Sequence, residues 1–150
     1  MIEVRLQSEA FDQGAELARL APLGGGGVAS FTGIVRGDNG LSELFLEHHP
    51  QMTLAMMREL AERSASRWHL LGVVVVHRYG ALTPGDPIVF VATAATHRGA
   101  ALEACTSLID RLKTEAPFWK REHFADGRTS WIEQRASDAV AAARWLRDGA

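Results

Sequence analysis

Four consecutive valines constrain the fold of this chain more than any other feature of its sequence. Val73 to Val76 form an apolar run within the segment of residues 70–79. Successive side chains of a strand point to opposite faces of a sheet, so a run that is apolar at every position is buried on both faces. The run therefore predicts a central strand. Its antiparallel partner is predicted over residues 88–96, after a turn at residues 80–86.

The remainder of the chain alternates between strand and helix patterns. Residues 2–6 alternate apolar and charged positions, which is the period-2 pattern of a half-buried strand. Apolar residues that recur at three- and four-residue steps predict helices. Further strands are predicted over residues 28–36, 41–48, 118–124 and 130–134, and helices over residues 12–20, 52–68, 100–115 and 137–146.

This order of elements predicts an α+β fold in which antiparallel hairpins pack against helices. Residues 37–40 form a strong turn, so the strands before and after it are expected to pair as a hairpin with Arg36 at its mouth. At 150 residues and 47% hydrophobic content, the chain has the size of one domain, residues 1–150, with a short final helix within residues 136–150.

Composition excludes several classes of function. A formal net charge of -2 does not provide the broad basic face of a nucleic-acid or membrane-surface binder. One cysteine, Cys105, cannot form an internal disulfide and fits a reducing cytoplasm. The adjacent His48 and His49 do not form a zinc site, because strand neighbours point to opposite faces and zinc needs three or four ligands. We therefore expect a cytoplasmic protein with no metal.

The segment from Leu112 to Glu122 carries two lysines on either side of a proline. Pro117 disfavours helical backbone at the residue before it, so the helix should end near Glu115, with Lys113 in its last turn and Lys120 beyond it. A cation at a helix C-terminus can simply complement the helix dipole. Lys120, however, follows two large aromatics, and a lysine held near apolar surface has a pKa that can fall toward a catalytic range.

Basic residues also end two of the predicted strands. Arg36 ends one, and His97 and Arg98 follow another at a strand-to-helix junction, where free N–H groups suit an anion. His97 could instead only cap the helix. If these ends converge with Lys113 and Lys120, they form a cationic pocket for a compact anionic molecule. The same helix is expected to bury a stripe at Leu102, Cys105, Leu108, Ile109 and Leu112.

Five segments together resemble a known family, the large catalytic subunit of molybdopterin synthase. They are residues 31–36 (FTGIVR), 46–50 (LEHHP), 77–80 (HRYG), 96–98 (THR) and 112–122 (LKTEAPFWKRE). The resemblance covers roughly residues 1–135 in the same order. It departs at His49, where the family often has tyrosine, and at Gln51, where glycine is usual.

The resemblance implies an α/β hammerhead-like fold and a sulfurtransferase of molybdenum cofactor biosynthesis. Such an enzyme takes sulfur from the C-terminal thiocarboxylate of a small ubiquitin-like (MoaD-like) carrier subunit and converts cyclic pyranopterin monophosphate to the molybdopterin dithiolene. It implies a homodimer within a heterotetramer and no cofactor. By the same resemblance Lys113 and Lys120 are catalytic, and the substrate-binding residues are Ile34, Val35, Arg36, His97, Arg98, Lys113, Lys120, Arg121 and Glu122.

The chemistry requires such residues independently of the family. Replacement of a C–O bond by a C–S bond needs an acid for the leaving oxygen and a stabiliser for a tetrahedral intermediate, and a partly desolvated lysine can serve either need. Arginine side chains suit phosphate oxygens. The alternatives are a non-catalytic adaptor that binds a ubiquitin-like Gly-Gly tail and, less specifically, an acyl-thioester or nucleotide-binding enzyme.

Overall fold

The computed structural model describes residues 1–132 and 136–146, which form an α+β fold with two four-stranded sheets. The strands are β1 (Ile2–Gln7), β2 (Gly27–Ile34), β3 (Leu41–His48), β4 (Gly72–Arg78), β5 (Gly80–Leu82), β6 (Pro87–Ala95), β7 (Phe118–Phe124) and β8 (Thr129–Ile132). The helices are α1 (Gln13–Leu20), α2 (Met52–Trp68), α3 (Arg98–Glu115) and α4 (Ala136–Leu146).

The first sheet has the order β1-β4-β6-β2, so the valine-rich strand β4 is central, as predicted. Val73 and Val75 pack toward α2 and α3, whereas Val74 and Val76 pack toward α1. This alternation explains why every position of the run is apolar, since both faces of the strand are covered. β6 is antiparallel to β4 and to β2, and β1 is parallel to β4.

The second sheet has the order β5-β3-β7-β8 and packs its inner face on a separate apolar cluster. The predicted hairpin with Arg36 at its mouth is wrong, because β2 pairs with β6 and β3 pairs with β5 and β7. The register of β2 shifts at Gly33, and the chain then leaves the first sheet. The turn before β3 therefore carries the chain from one sheet to the other. The short strand β5 lies where only a turn was predicted.

The helix ends follow local chemistry. Asp12 caps α1, because its carboxylate accepts a hydrogen bond from the backbone N–H of Ala15 at 3.1 Å. α3 ends at Glu115, and Ala116 has extended backbone as the residue before Pro117 should. Cys105 is buried, which confirms it as a core residue.

Two sequence predictions about the helices need correction. Leu102 is 57% exposed and does not belong to the buried stripe of α3. Helix α4 begins at Ala136, one residue before its predicted start at residue 137. Residues 133 and 134 of the last predicted strand lie outside the described residues. Among residues 1–132 and 136–146, no helix combines the length and the apolar composition needed to cross a bilayer.

Candidate active site

Lys113 and Lys120 are the only lysines in a chain that has 16 Lys and Arg residues in total. Lys113 lies in the last turn of α3 and is exposed. Lys120 lies near the start of β7 and is partly buried. Pro117 separates the helix from the strand, so the two lysines belong to different elements of the fold.

Lys120 points toward the inner face of the second sheet. It is directly opposite Leu46 on β3, and Glu122 is opposite Leu44. Leu44 and Leu46 both belong to the buried cluster of that sheet, and residues opposite each other share a face. Lys120 and Glu122 therefore lie on the inner face, at the border between the two sheets.

Arg121 lies on the opposite face of the same strand. Its guanidinium is 5.1 Å from the ring centre of Phe45 and 5.5 Å from that of Trp131. Its Nε also donates to the imidazole of His123 at 3.0 Å. The sequence grouped Arg121 with Lys120, but the strand directs the two side chains to different faces.

Arg36 lies beyond the end of β2, on the same side of the molecule as the second sheet. Its neighbour Val35 is buried with Leu44 and Leu46, and both backbone groups of Val35 are hydrogen-bonded, to Asp86 and Gly85. Val35 is thus a packing residue that holds its neighbours in place. Ile34 is 52% exposed, and the Arg36 side chain is exposed beside Asp38, 3.4 Å away.

His97 and Arg98 lie far from the lysines within one chain. They begin α3, whereas Lys113 lies in its last turn, 15 residues later. At 1.5 Å per residue the helix separates Arg98 from Lys113 by ~22 Å. Arg98 instead packs against Gly27 at the start of β2, because a Cβ on Gly27 would meet the Arg98 Cα at 3.3 Å. His97 occupies the N-cap position but forms no side-chain cap. The predicted convergence therefore does not occur inside a single chain.

An aromatic cluster lies on the same face of β7 as Lys120. The ring of His77, at the end of β4, stacks on Phe118 with centres 3.8 Å apart and planes 19° apart. On β3, His48 is paired with Phe118 and contacts Tyr79 at 4.3 Å. Sequence reasoning cited His77 and Tyr79 only as part of a family segment. The position of His77 directly after the four valines of a central strand was the feature of the sequence that indicated a buried side chain.

His49 has a structural role that differs from that of its neighbour. Its Nδ1 accepts hydrogen bonds from the backbone N–H groups of Gln51 and Met52 at 3.4 and 3.1 Å and so caps α2. Thr53 links this turn to the lysine segment, because its hydroxyl donates to the carbonyl of Pro117 at 2.8 Å. Within the described part of the chain, no three His, Cys, Asp or Glu side chains cluster closely enough to hold a metal ion.

Comparison with known proteins decides the family. The family model described as "MoaE protein" matches residues 6–115. The chain belongs to the MoaE family. The molybdopterin synthase catalytic subunit of Pseudomonas aeruginosa is 47% identical over 147 residues, which cover 95% of this chain and 97% of that protein. This MoaE-family chain is therefore an enzyme subunit of the molybdopterin synthase type.

Solved structures agree with the fold. The molybdopterin biosynthesis MoaE protein from Burkholderia ambifaria is 42% identical, with a TM-score of 0.83 over 97% of this chain and 99% of that chain. A chain from a complex of subunits 1 and 2 of the molybdopterin-converting factor of Helicobacter pylori is 20% identical, with a TM-score of 0.71 over 89% of this chain and 91% of that chain. The latter likeness shows the shared fold alone. The MoaE assignment confirms the α+β hammerhead-like fold that the sequence resemblance implied.

Proposed function

We propose that this chain is the sulfur-transferring subunit of a molybdopterin synthase. It takes sulfur from the C-terminal thiocarboxylate of a small MoaD-like carrier and inserts it into cyclic pyranopterin monophosphate to make the dithiolene. The observation that carries this proposal is the use of lysine. All the other Lys and Arg positions of the chain are arginine, and its two lysines lie on either side of Pro117, at the end of α3 and near the start of β7. Arginine does not release its proton in proteins, whereas lysine can donate and accept one.

The two lysines have separate tasks in the proposed reaction. Lys113, exposed at the end of α3, meets the carrier tail and stabilises the negative charge that develops when water adds to the acyl carbon that bears the sulfur; the C–S bond to the carrier then breaks, which leaves the sulfur on the pterin and a carboxylate on the carrier. Lys120, held on the inner face of β7, donates a proton to the oxygen that leaves the pterin carbon as the C–S bond forms. Arg121, between Lys120 and Glu122, holds β7 in place through its contacts with Phe45 and Trp131.

The pocket for the pterin phosphate is completed by a second copy of the chain in this proposal. β2 is an edge strand of the first sheet and exposes Val28, Phe31 and Ile34, with 44%, 37% and 52% of their surfaces accessible. An exposed apolar edge strand favours pairing with another chain. An antiparallel pair of β2 edges would bring the Arg98 end of one chain to the Arg36 end of its partner.

That arrangement assembles the cations the reaction needs. Arg36, Lys113 and Lys120 come from one chain, and His97 and Arg98 come from the other. Ile34 lines the pocket with its exposed side chain, Val35 shapes it from the core, and Glu122 faces the same side as Lys120. Arginine forks then bind the phosphate, for which they are geometrically suited. The sulfur arrives with the carrier, so the proposed reaction uses no bound cofactor or metal, and it takes place in the cytoplasm.

A reconstituted reaction distinguishes the enzyme from the adaptor alternative. The chain is mixed with a thiocarboxylated Gly-Gly carrier and cyclic pyranopterin monophosphate, and dithiolene product is measured by its oxidised fluorescent derivative. Product that accumulates with loss of the thiocarboxylate supports the synthase. Tight binding of the carrier without product supports the adaptor and contradicts the proposal.

Single alanine variants test the lysine assignments. Lys113→Ala and Lys120→Ala should each lower turnover by at least ~100-fold, the range typical for loss of a general acid or of an oxyanion stabiliser. Near-wild-type turnover in both variants would refute the catalytic pair. Arg98→Ala should weaken binding of the pterin phosphate, and an unchanged affinity would count against the phosphate role.

A further inference from the structure

His77 is a buried histidine that the proposed chemistry does not use directly. It is 7% exposed and lies at the end of the central strand β4, between Leu6 of β1 and Val89 of β6. By the alternation along β4 it faces the same side as Val73 and Val75. Phe118, with which it stacks, packs on that same cluster. His77 therefore joins the first sheet to the start of β7, which belongs to the second.

The hydrogen bond of the ring fixes its protonation pattern. Nδ1 of His77 is 2.7 Å from the backbone carbonyl of Arg78. A carbonyl only accepts, so Nδ1 carries the proton and Nε2 is the unprotonated nitrogen of the neutral ring. Burial lowers the pKa of His77 to about 4, against the opposing effect of the Arg78 hydrogen bond, and the charges of Lys120 and His48 lower it further. The ring is thus neutral at physiological pH.

The stack on Phe118 reaches Lys120 through the geometry of the strand. Phe118 and Lys120 are two residues apart on β7, and side chains at that spacing share a face. Their partners on β3, His48 and Leu46, are likewise two residues apart. Because the same strand carries both residues, a contact that fixes the ring of Phe118 also fixes the position from which β7 presents the ammonium group of Lys120.

We propose that His77 is a positioning residue for Lys120: its neutral aromatic ring stacks on Phe118 and so sets where β7 places the catalytic ammonium group. This inference rests on the proposed role of Lys120. A neutral aromatic ring suits the position because an aliphatic side chain would not form the stack. A charged ring would place a second cation beside Lys120 and favour loss of the proton that Lys120 must hold.

Two substitutions separate the ring from its hydrogen bond. His77→Phe keeps a flat neutral ring for Phe118 and removes the bond to Arg78. His77→Asn keeps a donor near the position of Nδ1 and removes the ring. If the stack positions Lys120, His77→Asn should lower kcat by ~100-fold, the effect of misplacing a catalytic group by about 1 Å. KM for the carrier and for the pterin should stay unchanged, and His77→Phe should restore most of the kcat.

A substitution of Phe118, the other ring of the stack, separates the effect of losing the stack from the effect of misfolding. Phe118→Leu removes the stack while leaving His77 and its hydrogen bond in place, and it should reproduce the kinetics of His77→Asn. Thermal melts of all three variants identify any that do not fold. Equal losses in His77→Phe and His77→Asn, or wild-type kcat in a folded Phe118→Leu variant, would overturn the proposal.

The scarcity of lysine allows a direct spectroscopic readout. In protein made with ¹³C- and ¹⁵N-labelled lysine, only Lys113 and Lys120 give side-chain signals. Their assignment follows from Lys120→Arg, which removes one set. His77→Asn should shift the Lys120 signals and leave those of Lys113 in place, whereas His77→Phe should shift neither. Unmoved Lys120 signals in folded His77→Asn would refute the positioning role.

The two levels of the proposal fail differently. Wild-type turnover in Lys120→Ala would remove the catalytic assignment of the proposed function. The lysine spectra would still report whether His77 sets the position of Lys120. Conversely, an inactive Lys120→Ala with a fully active His77→Asn would leave the proposed function intact and overturn the inference about His77 alone.

Discussion

Mixing two inactive variants should restore activity if the catalytic pocket is shared between two chains. The length of α3 places Arg98 ~22 Å from Lys113 within one chain. In the proposed dimer, one chain supplies the lysines of a pocket and its partner supplies Arg98. An Arg98→Ala chain and a Lys120→Ala chain each lack one half, and a dimer that contains one of each has one pocket with both halves intact.

The expected recovery follows from the symmetry of the dimer. Random exchange of equal amounts of the two chains makes half of the dimers mixed, and each mixed dimer has one intact pocket of two. About one quarter of all pockets are then intact, so activity should rise to about 25% of wild type. The chains are exchanged in mild denaturant, diluted with thiocarboxylated carrier and assayed for dithiolene at a pterin concentration below KM, where the Arg98→Ala defect is largest.

A matched pair of variants provides the control. Lys113→Ala and Lys120→Ala remove groups from the same half of the pocket, so their mixture contains no intact pocket and should show no recovery. If the activity of the first mixture stayed at the mean of the activities of its two components, Arg98 and Lys120 would belong to a pocket within one chain. That result would refute the shared pocket.

Three further predictions concern the core. As the pH falls from about 6.5 to about 4, wild type should lose roughly 3 kcal/mol of unfolding free energy that His77→Phe retains, because His77 becomes protonated in the unfolded chain but stays neutral when buried. Urea titrations across this range measure the difference, and an equal dependence of unfolding free energy on pH in the two proteins would contradict it. Burial raises the pKa of Cys105 to about 11, so iodoacetamide at about pH 8 should modify it only at the rate of unfolding; rapid modification of the folded protein would contradict this. Leu108→Ala should cost ~2–5 kcal/mol and Leu102→Ala less than ~0.5 kcal/mol in urea unfolding, and equal costs would contradict the placement of Leu102 at the surface.

The sequence predicts those parts of the fold that depend on local patterns. The bounds of α2 and β7 follow from their periodicity, and the end of α3 follows from Pro117. Strand pairing is decided by distant residues, so the strong turn at residues 37–40 suggested a hairpin that does not form. β2 pairs instead with β6, which is more than 50 residues further along the chain.

The features of the candidate site also divide into those that local patterns predict and those that they do not. Local features, a helix stop and a strand end, decide which elements carry the lysines and Arg36. Period-2 alternation could have placed Lys120 and Arg121 on opposite faces once β7 was predicted. The separation of Arg98 from Lys113 was also present in the helix length, but the partner chain of the proposed pocket lies outside the information in one sequence.

Replacing each lysine by arginine tests whether the lysines transfer a proton in the reaction. Lys113→Arg and Lys120→Arg keep the positive charge and remove the ability to give up a proton. Single-turnover formation of dithiolene from thiocarboxylated carrier and cyclic pyranopterin monophosphate measures the outcome. We expect Lys120→Arg to bind both substrates as wild type does but to form product at least ~100-fold more slowly. Wild-type rates in Lys120→Arg would show that the site needs only a charge, and would contradict proton transfer by this lysine.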